Sequence, residues 1–416
     1  MGRVVRRHCQ DLVEEALADT RVVLVNGARQ CGKSTLVAQV ARTNGASWYT
    51  LDRPDTLQSA KLDPVTFVRS AFPMIIDEVQ RAPELFLPMK ELVDSQPIPG
   101  RFLLTGSARL LGLRGLPDAL PGRMETIELW PLSQGEIDGC PDGFIDAVFQ
   151  NRDLPRESNE DRDGYIDRVV RGGFPEAVAR SGRRRQRFFE SYLSDLVNRD
   201  VIQIAALERG RHMRTLIDLL AGRIGQTFTM VGLTRALGLS QPTVEKYVSL
   251  LEEVFLIKRI PCWGGSINSR ASSNSKLAFV DSGIVTMLLG SDEADLRRID
   301  GPIGPLLENF VSMEIARQIE WSEQSVAMYH YRTRDQVEVD IVLQNRRRQV
   351  VAIEVKASAT AHTEDFRGIR HLQARLGDDL LAGIVLYLGQ QTLPFGDRLR
   401  AAPVSAIWET GALTIR

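Results

Sequence analysis

The chain has 416 residues, 43% hydrophobic and 25% charged, and its 52 Lys+Arg against 53 Asp+Glu leave a formal net charge of -1. At roughly 150 residues per domain there is room for two to four domains, and the composition excludes a mostly disordered chain and an integral membrane protein. Balanced charge means that any contact with a polyanion has to be local. No apolar run approaches the roughly 18 residues of a membrane span. The N-terminal MGRVVRRHCQDLVEE has no apolar core, so a cytoplasmic protein is expected. Cys9, Cys31, Cys140 and Cys262 lie far apart without a CxxC pair, which suggests neither a disulfide framework nor a zinc site. Only seven basic residues are lysines, at 33, 61, 90, 246, 258, 276 and 356.

Over residues 1–150 the apolar runs RVVLVNG, ASWYTL, FPMIIDE, RFLLTGS and METIELWPL alternate with helical stretches. Continuous apolar strands separated by helices predict an α/β domain, a parallel sheet with helices on both faces. Between the first run and a helical stretch lies GARQCGKS, residues 27–34, which fits the phosphate-loop pattern G-x-x-x-x-G-K-[ST]. The strand–loop–helix order aims backbone N–H groups at phosphates. The candidate ATP contacts are Gly27, Ala28, Arg29, Gln30, Cys31, Gly32, Lys33, Ser34 and Thr35. Lys33 neutralises the outer phosphates and the Ser34 hydroxyl ligates Mg²⁺. Asp77 ends the strand of PMIIDEVQ, where a carboxylate can hold the magnesium shell, and Glu78 beside it can polarise the attacking water. Thr105 and Ser107, at the polar end of FLLTGSARL, are expected either to sense the γ-phosphate or simply to cap the strand. Arg123, just before the last strand, is either an arginine finger for a neighbouring subunit's nucleotide or a surface arginine.

GARQCGKSTL, IIDEVQRAP, LLTGSARL, GRMETIELWPLS and GGFPEA together resemble the bacterial and archaeal AAA-type ATPases with a C-terminal DUF4143 region. The resemblance covers nearly the whole chain. It implies an AAA-like P-loop domain, ATP and Mg²⁺ as cofactors, and a homo-oligomeric ring such as a hexamer, with no substrate fixed.

The charged segment Asn151–Gly164 reads as a linker, and Tyr165 to about Ala206 as a helical connector or lid. Residues 207–262 then suggest a helix, a turn at Gly238-Leu239-Ser240, and a second helix with Pro242 in its first turn. Val244, Val248, Leu251 and Val254 would pack that helix, and FLIKRI would begin a wing. This resembles winged helix-turn-helix domains, on which reading Ser240, Gln241, Thr243 and Lys246 face DNA; such domains also serve as protein-binding modules. Trp263–Ser275 is a Gly/Ser/Asn loop.

Residues 276–416 carry a helix near LLENFVSMEIARQIEW, the strands EVDIVL and VVAIEVKA about a turn centred near Arg347, a helix near EDFRGIRHLQARLG, and strands LAGIVLYLG and VSAIWET. Asp340 and Glu354 stand symmetrically about that turn, and Glu354 and Lys356 share a strand face. With Glu308 from the preceding helix, these residues could bind Mg²⁺ beside a phosphodiester. The arrangement resembles the PD-(D/E)xK nuclease superfamily, although no Pro precedes Asp340 and Glu338 lies two residues earlier on the same face. Arginine runs at 183–187 and 346–348 are candidate phosphate contacts or solvated surface. Two readings follow. One is an ATP-driven oligomer acting on DNA with a metal-dependent nuclease-like domain. The other is a nucleotide-switched DNA- or protein-binding regulator whose nuclease-like domain is catalytically dead. Neither involves a membrane or a small-molecule substrate beyond ATP.

Overall fold

A computed structural model describes residues 4–107, 120–201, 210–264, 275–298 and 300–411. Three expected segments lie partly outside the described residues: Ala108–Leu110 of FLLTGSARL, the end of the connector at 202–206, and most of the loop 263–275. The chain forms two compact units, residues 1–132 with 253–255, and residues 133–252 with 256–416.

The first unit is built on five parallel strands: β1 (Val22–Gly27), β2 (Ser47–Thr50), β3 (Met74–Asp77), β4 (Phe102–Gly106) and β5 (Met124–Leu129), in the order β2-β3-β4-β1-β5. The three inner strands are buried at every position, whereas the edge strands β2 and β5 are partly exposed. That difference explains the sequence pattern, because a strand covered on both faces has no reason to alternate. Helices Lys33–Asn44, Pro64–Arg69 and Phe86–Ser95 are among those flanking the strands. Phe67, Phe86, Met89 and Val93 share a core with Val22, Leu24, Ile76 and Leu104. This unit closes at Leu132, before the expected boundary at 150.

Helices Gln134–Asp138 and Phe144–Phe149 belong to the second unit, where Ser322 donates to Asp146 and Gly143 N–H donates to the Thr410 carbonyl. The charged stretch after them is no free linker. Ser158 N–H donates to the Gln390 carbonyl, Thr392 donates to the Pro155 carbonyl, and Ser405 Oγ lies 2.7 Å from Ser158 Oγ. Its backbone and Ser158 are tied to fixed partners, while most of its charged side chains stay exposed.

Helices Arg162–Arg171, Gly182–Asp195, Gly210–Ala221, Met230–Leu237 and Gln241–Glu253 follow, then the antiparallel pair β6 (Ile257–Ile260) and β7 (Lys276–Phe279). Val244, Val248, Leu251 and Val254 are buried as their spacing requires. The C-terminal region is a mixed sheet of β8 (Val326–Arg332), β9 (Glu338–Asn345), β10 (Val350–Lys356), β11 (Leu380–Tyr387), β12 (Leu393–Gly396) and β13 (Leu399–Pro403), ordered β12-β13-β11-β10-β9-β8. With helix Ile303–Trp321 ahead of β8 and helix Arg367–Leu376 between β10 and β11, the order is helix, three strands, helix, strand. The expected strand VSAIWET is instead a helical turn, Ala406–Glu409, with Ala406, Ile407 and Trp408 all buried. Complete burial, not sheet alternation, makes that segment apolar; the strand itself ends at Pro403.

Helix Ile303–Trp321 is buried nearly all round, polar residues included. Asn309 exchanges hydrogen bonds with the Phe279 backbone, Gln318 donates to the Ile407 carbonyl, and Glu314 accepts from Gln134 N–H and from Arg317 at 2.6 Å. Burial pushes the Glu314 carboxyl up to about 7, against the pull of the Arg317 guanidinium. The folded state thus holds a proton that the unfolded chain releases at ordinary carboxylate pH, and stability should fall as pH rises from that range toward 7. Glu314→Gln should flatten this slope in urea unfolding. Glu314→Ala, which strands a buried guanidinium, should cost about 3–5 kcal/mol.

Candidate functional site

The phosphate loop joins β1 to helix Lys33–Asn44 at the carboxyl end of the sheet. Gly27 pairs with Leu129 across β1 and β5, and a Cβ there would lie 2.0 Å from the Leu129 carbonyl oxygen, so no other residue fits. Gly32, at φ 104, turns the chain into the helix in a conformation that L side chains rarely adopt. Gln30, at φ 59, adopts a left-handed conformation without glycine's freedom, a local cost of the kind that collects at ligand sites. Ala28 and Cys31 are buried, and the Cys31 thiol donates to the Leu129 carbonyl at 3.2 Å. Arg29 is half-buried, while Gln30, Ser34 and Thr35 are exposed.

Lys33 is 4% exposed, and its ammonium donates to the carbonyls of Gly27 (3.0 Å) and Ala28 (2.8 Å). No side chain caps the N-terminus of its helix, which leaves backbone donors for an anion. Arg7, which nothing in the sequence pattern singles out, is buried and donates to the carbonyls of Cys31 (2.8 Å) and Trp130 (2.7 Å). It ties the loop to the end of β5.

Asp77 gathers the neighbouring strand ends. Its carboxylate accepts from Ser34 (2.9 Å), Thr105 (2.6 Å) and Thr50 (3.4 Å). Thr105 in turn accepts from the Glu78 N–H at 3.0 Å, so this buried hydroxyl is spent on positioning the acidic pair. Glu78 has φ 59, and its carboxylate accepts from Ser107 (3.0 Å) and from Gln80. Gln80, two residues after Glu78 and not singled out by the motif, also donates to Ser107 at 2.8 Å. Arg123 lies just before β5, at its amino end, and pairs with Asp94 of the same chain through two nitrogens, one at 2.9 Å.

An uncapped helix terminus, a buried lysine held only by loop carbonyls, and a Ser34–Asp77 hydrogen bond fit a nucleotide triphosphate with Mg²⁺. The C-terminal acidic group does not fit a metal so readily. Ile353 faces Ile341 across β9 and β10, one step before Glu354 and Asp340, as the turn near Arg347 requires. Glu308 joins them, but so does Lys276 of β7, whose ammonium donates to Glu308 (2.7 Å) and Asp340 (3.0 Å). The other Asp340 oxygen accepts from Val355 N–H (3.0 Å), and Glu354 accepts from Lys356 (2.9 Å). Burial and the Asp340 charge push Glu308 up to about 8 and Glu354 up to about 7, with the lysines pulling the other way. Among the described residues no group of three or more His, Cys, Asp or Glu is disposed to hold a metal ion.

At the start of helix Gln241–Glu253, Gln241 and Lys246 are exposed and Thr243 is half-buried; Ser240, exposed just before the helix, has its hydroxyl 2.8 Å from that of Thr243. Arg346, Arg347 and Arg348 are exposed on the β9–β10 turn, where Arg348 has φ 65. In the earlier run Arg183, Arg184 and Arg187 are exposed, whereas Arg185 is spent on the carbonyls of Ala177 and Arg180. Among the described residues no helix is long and apolar enough to cross a membrane.

Residues 19–138 match the AAA domain family, residues 162–295 a domain of unknown function (DUF8612), and residues 303–407 a domain of unknown function (DUF4143). An uncharacterized protein of Mycobacterium tuberculosis is 28% identical over 99% of this chain and 86% of its own length. One of Haemophilus influenzae is 24% identical over 52% of this chain and 51% of its own. Among solved structures, a Walker-type ATPase of Pyrococcus abyssi aligns at 15% identity and a TM-score of 0.42, covering 68% of this chain and 95% of that one. The chain carries an AAA domain with the P-loop ATPase fold, followed by a DUF4143 region.

Proposed function

We propose that the protein binds ATP with Mg²⁺ and hydrolyses it as a homo-oligomer that acts on DNA. The observation that carries the hydrolytic part is the hydrogen-bonded series Ser34–Asp77–Thr105–Glu78 beside Lys33. Lys33 exchanges its loop carbonyls for phosphate oxygens, and the backbone donors at the helix start take others. Ser34 and Asp77 would hold Mg²⁺, which when bound neutralises charge on the transferred phosphoryl group. Glu78 orients and polarises water, with Gln80 and Ser107 fixing its carboxylate. Thr105 acts through Asp77 and the Glu78 backbone, as a positioning residue.

Three helices followed by a two-stranded antiparallel sheet, with Ser240, Gln241, Thr243 and Lys246 at the accessible start of the last helix, support a winged-helix surface for DNA. The second reading, a nucleotide-switched module with a dead nuclease-like domain, is favoured for the C-terminal region by one observation. A lysine ammonium lies between Glu308 and Asp340. The two readings combine as an ATPase whose DUF4143 region holds a partner without cutting it.

The first test separates binding from chemistry. Glu78→Gln should retain ATP affinity while phosphate release slows by about a hundredfold or more; Lys33→Ala should lose both. Hydrolysis at the parent rate in Glu78→Gln would remove that residue from the role.

DNA is tested by ATPase assays with duplex, single-stranded and four-way DNA, and by binding across a salt series. Stimulation by one of them, with a log–log salt slope reduced by about one in Lys246→Ala, is expected. No response to any DNA would sink this part.

Arg123 reaches a neighbour's nucleotide only by leaving Asp94. Mixing Arg123→Ala with parent subunits should therefore depress activity below the additive value; strictly additive activity would return it to its surface ion pair.

A further inference from the structure

We propose that Lys276 is the resident cation of the C-terminal acidic pocket, standing in place of a divalent metal, so that the DUF4143 region neither binds Mg²⁺ or Mn²⁺ there nor cleaves phosphodiesters.

The pocket gathers three carboxylates, Glu308, Asp340 and Glu354, which is the donor type that hard divalent ions need. Its geometry spends most of those donors elsewhere, leaving the second Glu354 oxygen buried without a hydrogen-bond partner. Lys276 takes one oxygen of Glu308 and one of Asp340, at 2.7 and 3.0 Å. The second Asp340 oxygen is held by the Val355 N–H and one Glu354 oxygen by Lys356. The two carboxylates that would bridge a metal therefore already bridge an ammonium. A divalent ion placed there would meet a like charge at contact range, in surroundings that screen it poorly.

Lys276 is not a surface side chain that happens to fall inward. Its side chain is 5% exposed. Its backbone is strand β7, paired with Ile260 of β6 and bridged to Thr227 on its other side. On the Glu308 side, Gly225 closes the pocket, because a Cβ on it would stand 3.1 Å from a Glu308 oxygen and 3.3 Å from the Pro305 Cα. To admit a metal, the lysine would have to abandon two carboxylates.

The inference does not depend on the ATP site, and its test needs no nucleotide. Mn²⁺ binding is followed by electron paramagnetic resonance on full-length, nucleotide-free protein, comparing the parent, Asp340→Asn, Lys276→Met and the Lys276→Met/Asp340→Asn double variant. Parent and Asp340→Asn should bind Mn²⁺ alike. Lys276→Met should gain one site that the double variant lacks. A site in the parent that disappears in Asp340→Asn would overturn the proposal, as would a folded Lys276→Met that gains none. If Lys276→Met does not fold, as judged by its thermal unfolding, the parent against Asp340→Asn still decides. Plasmid nicking with Mn²⁺ gives the second readout: none is expected from the parent, and nicking abolished by Asp340→Asn would overturn the proposal.

Discussion

The carboxylate of Asp77 is the point on which the first unit turns. It is buried at the end of an apolar strand, and such a charge is tolerable only if donors surround it. Ser34, Thr50 and Thr105 supply them, one from the helix after β1 and one each from β2 and β4. Satisfying one anion thus brings the phosphate loop and three further strand ends into a fixed relation. Glu78 inherits its place from this arrangement, because its backbone N–H is tied to the same Thr105 that serves Asp77. The chemistry and the packing share the same hydrogen bonds.

The second unit solves a similar problem with the opposite sign of emphasis. Helix Ile303–Trp321 carries Asn309, Glu314, Arg317 and Gln318 into the interior, and each finds a partner on another segment or on the helix itself. Fixed polar partners of this kind specify which strand and which loop lie against the helix, where apolar contact alone would allow sliding. The Lys276 pocket extends the same logic: β7 is pinned to the helix by its ammonium at one end and by the Asn309 amide at the other.

Much of this was legible in the chain. All five strands of the first sheet coincide with the apolar runs, most plainly the three inner ones, because strands covered on both faces are predominantly apolar. The β9–β10 register was readable because a hairpin turn fixes which residues face each other. Other features leave no local trace. The order β2-β3-β4-β1-β5 depends on crossovers, not on any strand's composition. Arg7 and Lys276 act on residues far along the chain, and neither stands in a spacing pattern. VSAIWET misled because complete burial makes a helical turn as apolar as a strand. Asn151–Gly164 misled because a segment with exposed charges can still be anchored through its backbone and one hydroxyl, here by Gln390, Thr392 and Ser405.

The internal position of β1, between β4 and β5, has a consequence for how the protein is made. Both its neighbours arrive late: residues 22–26 pair with 102–106, and residues 22–27 with 124–129. A ribosome adding about 5–20 residues per second needs several seconds or more to supply them. Until then the apolar strand that carries the phosphate loop has no partner on either edge, and no hairpin can shield it locally. The phosphate-loop sequence is therefore synthesised well before the strands that flank β1, so that a nascent chain truncated before β5 displays the loop's residues without the strand against which Gly27 packs.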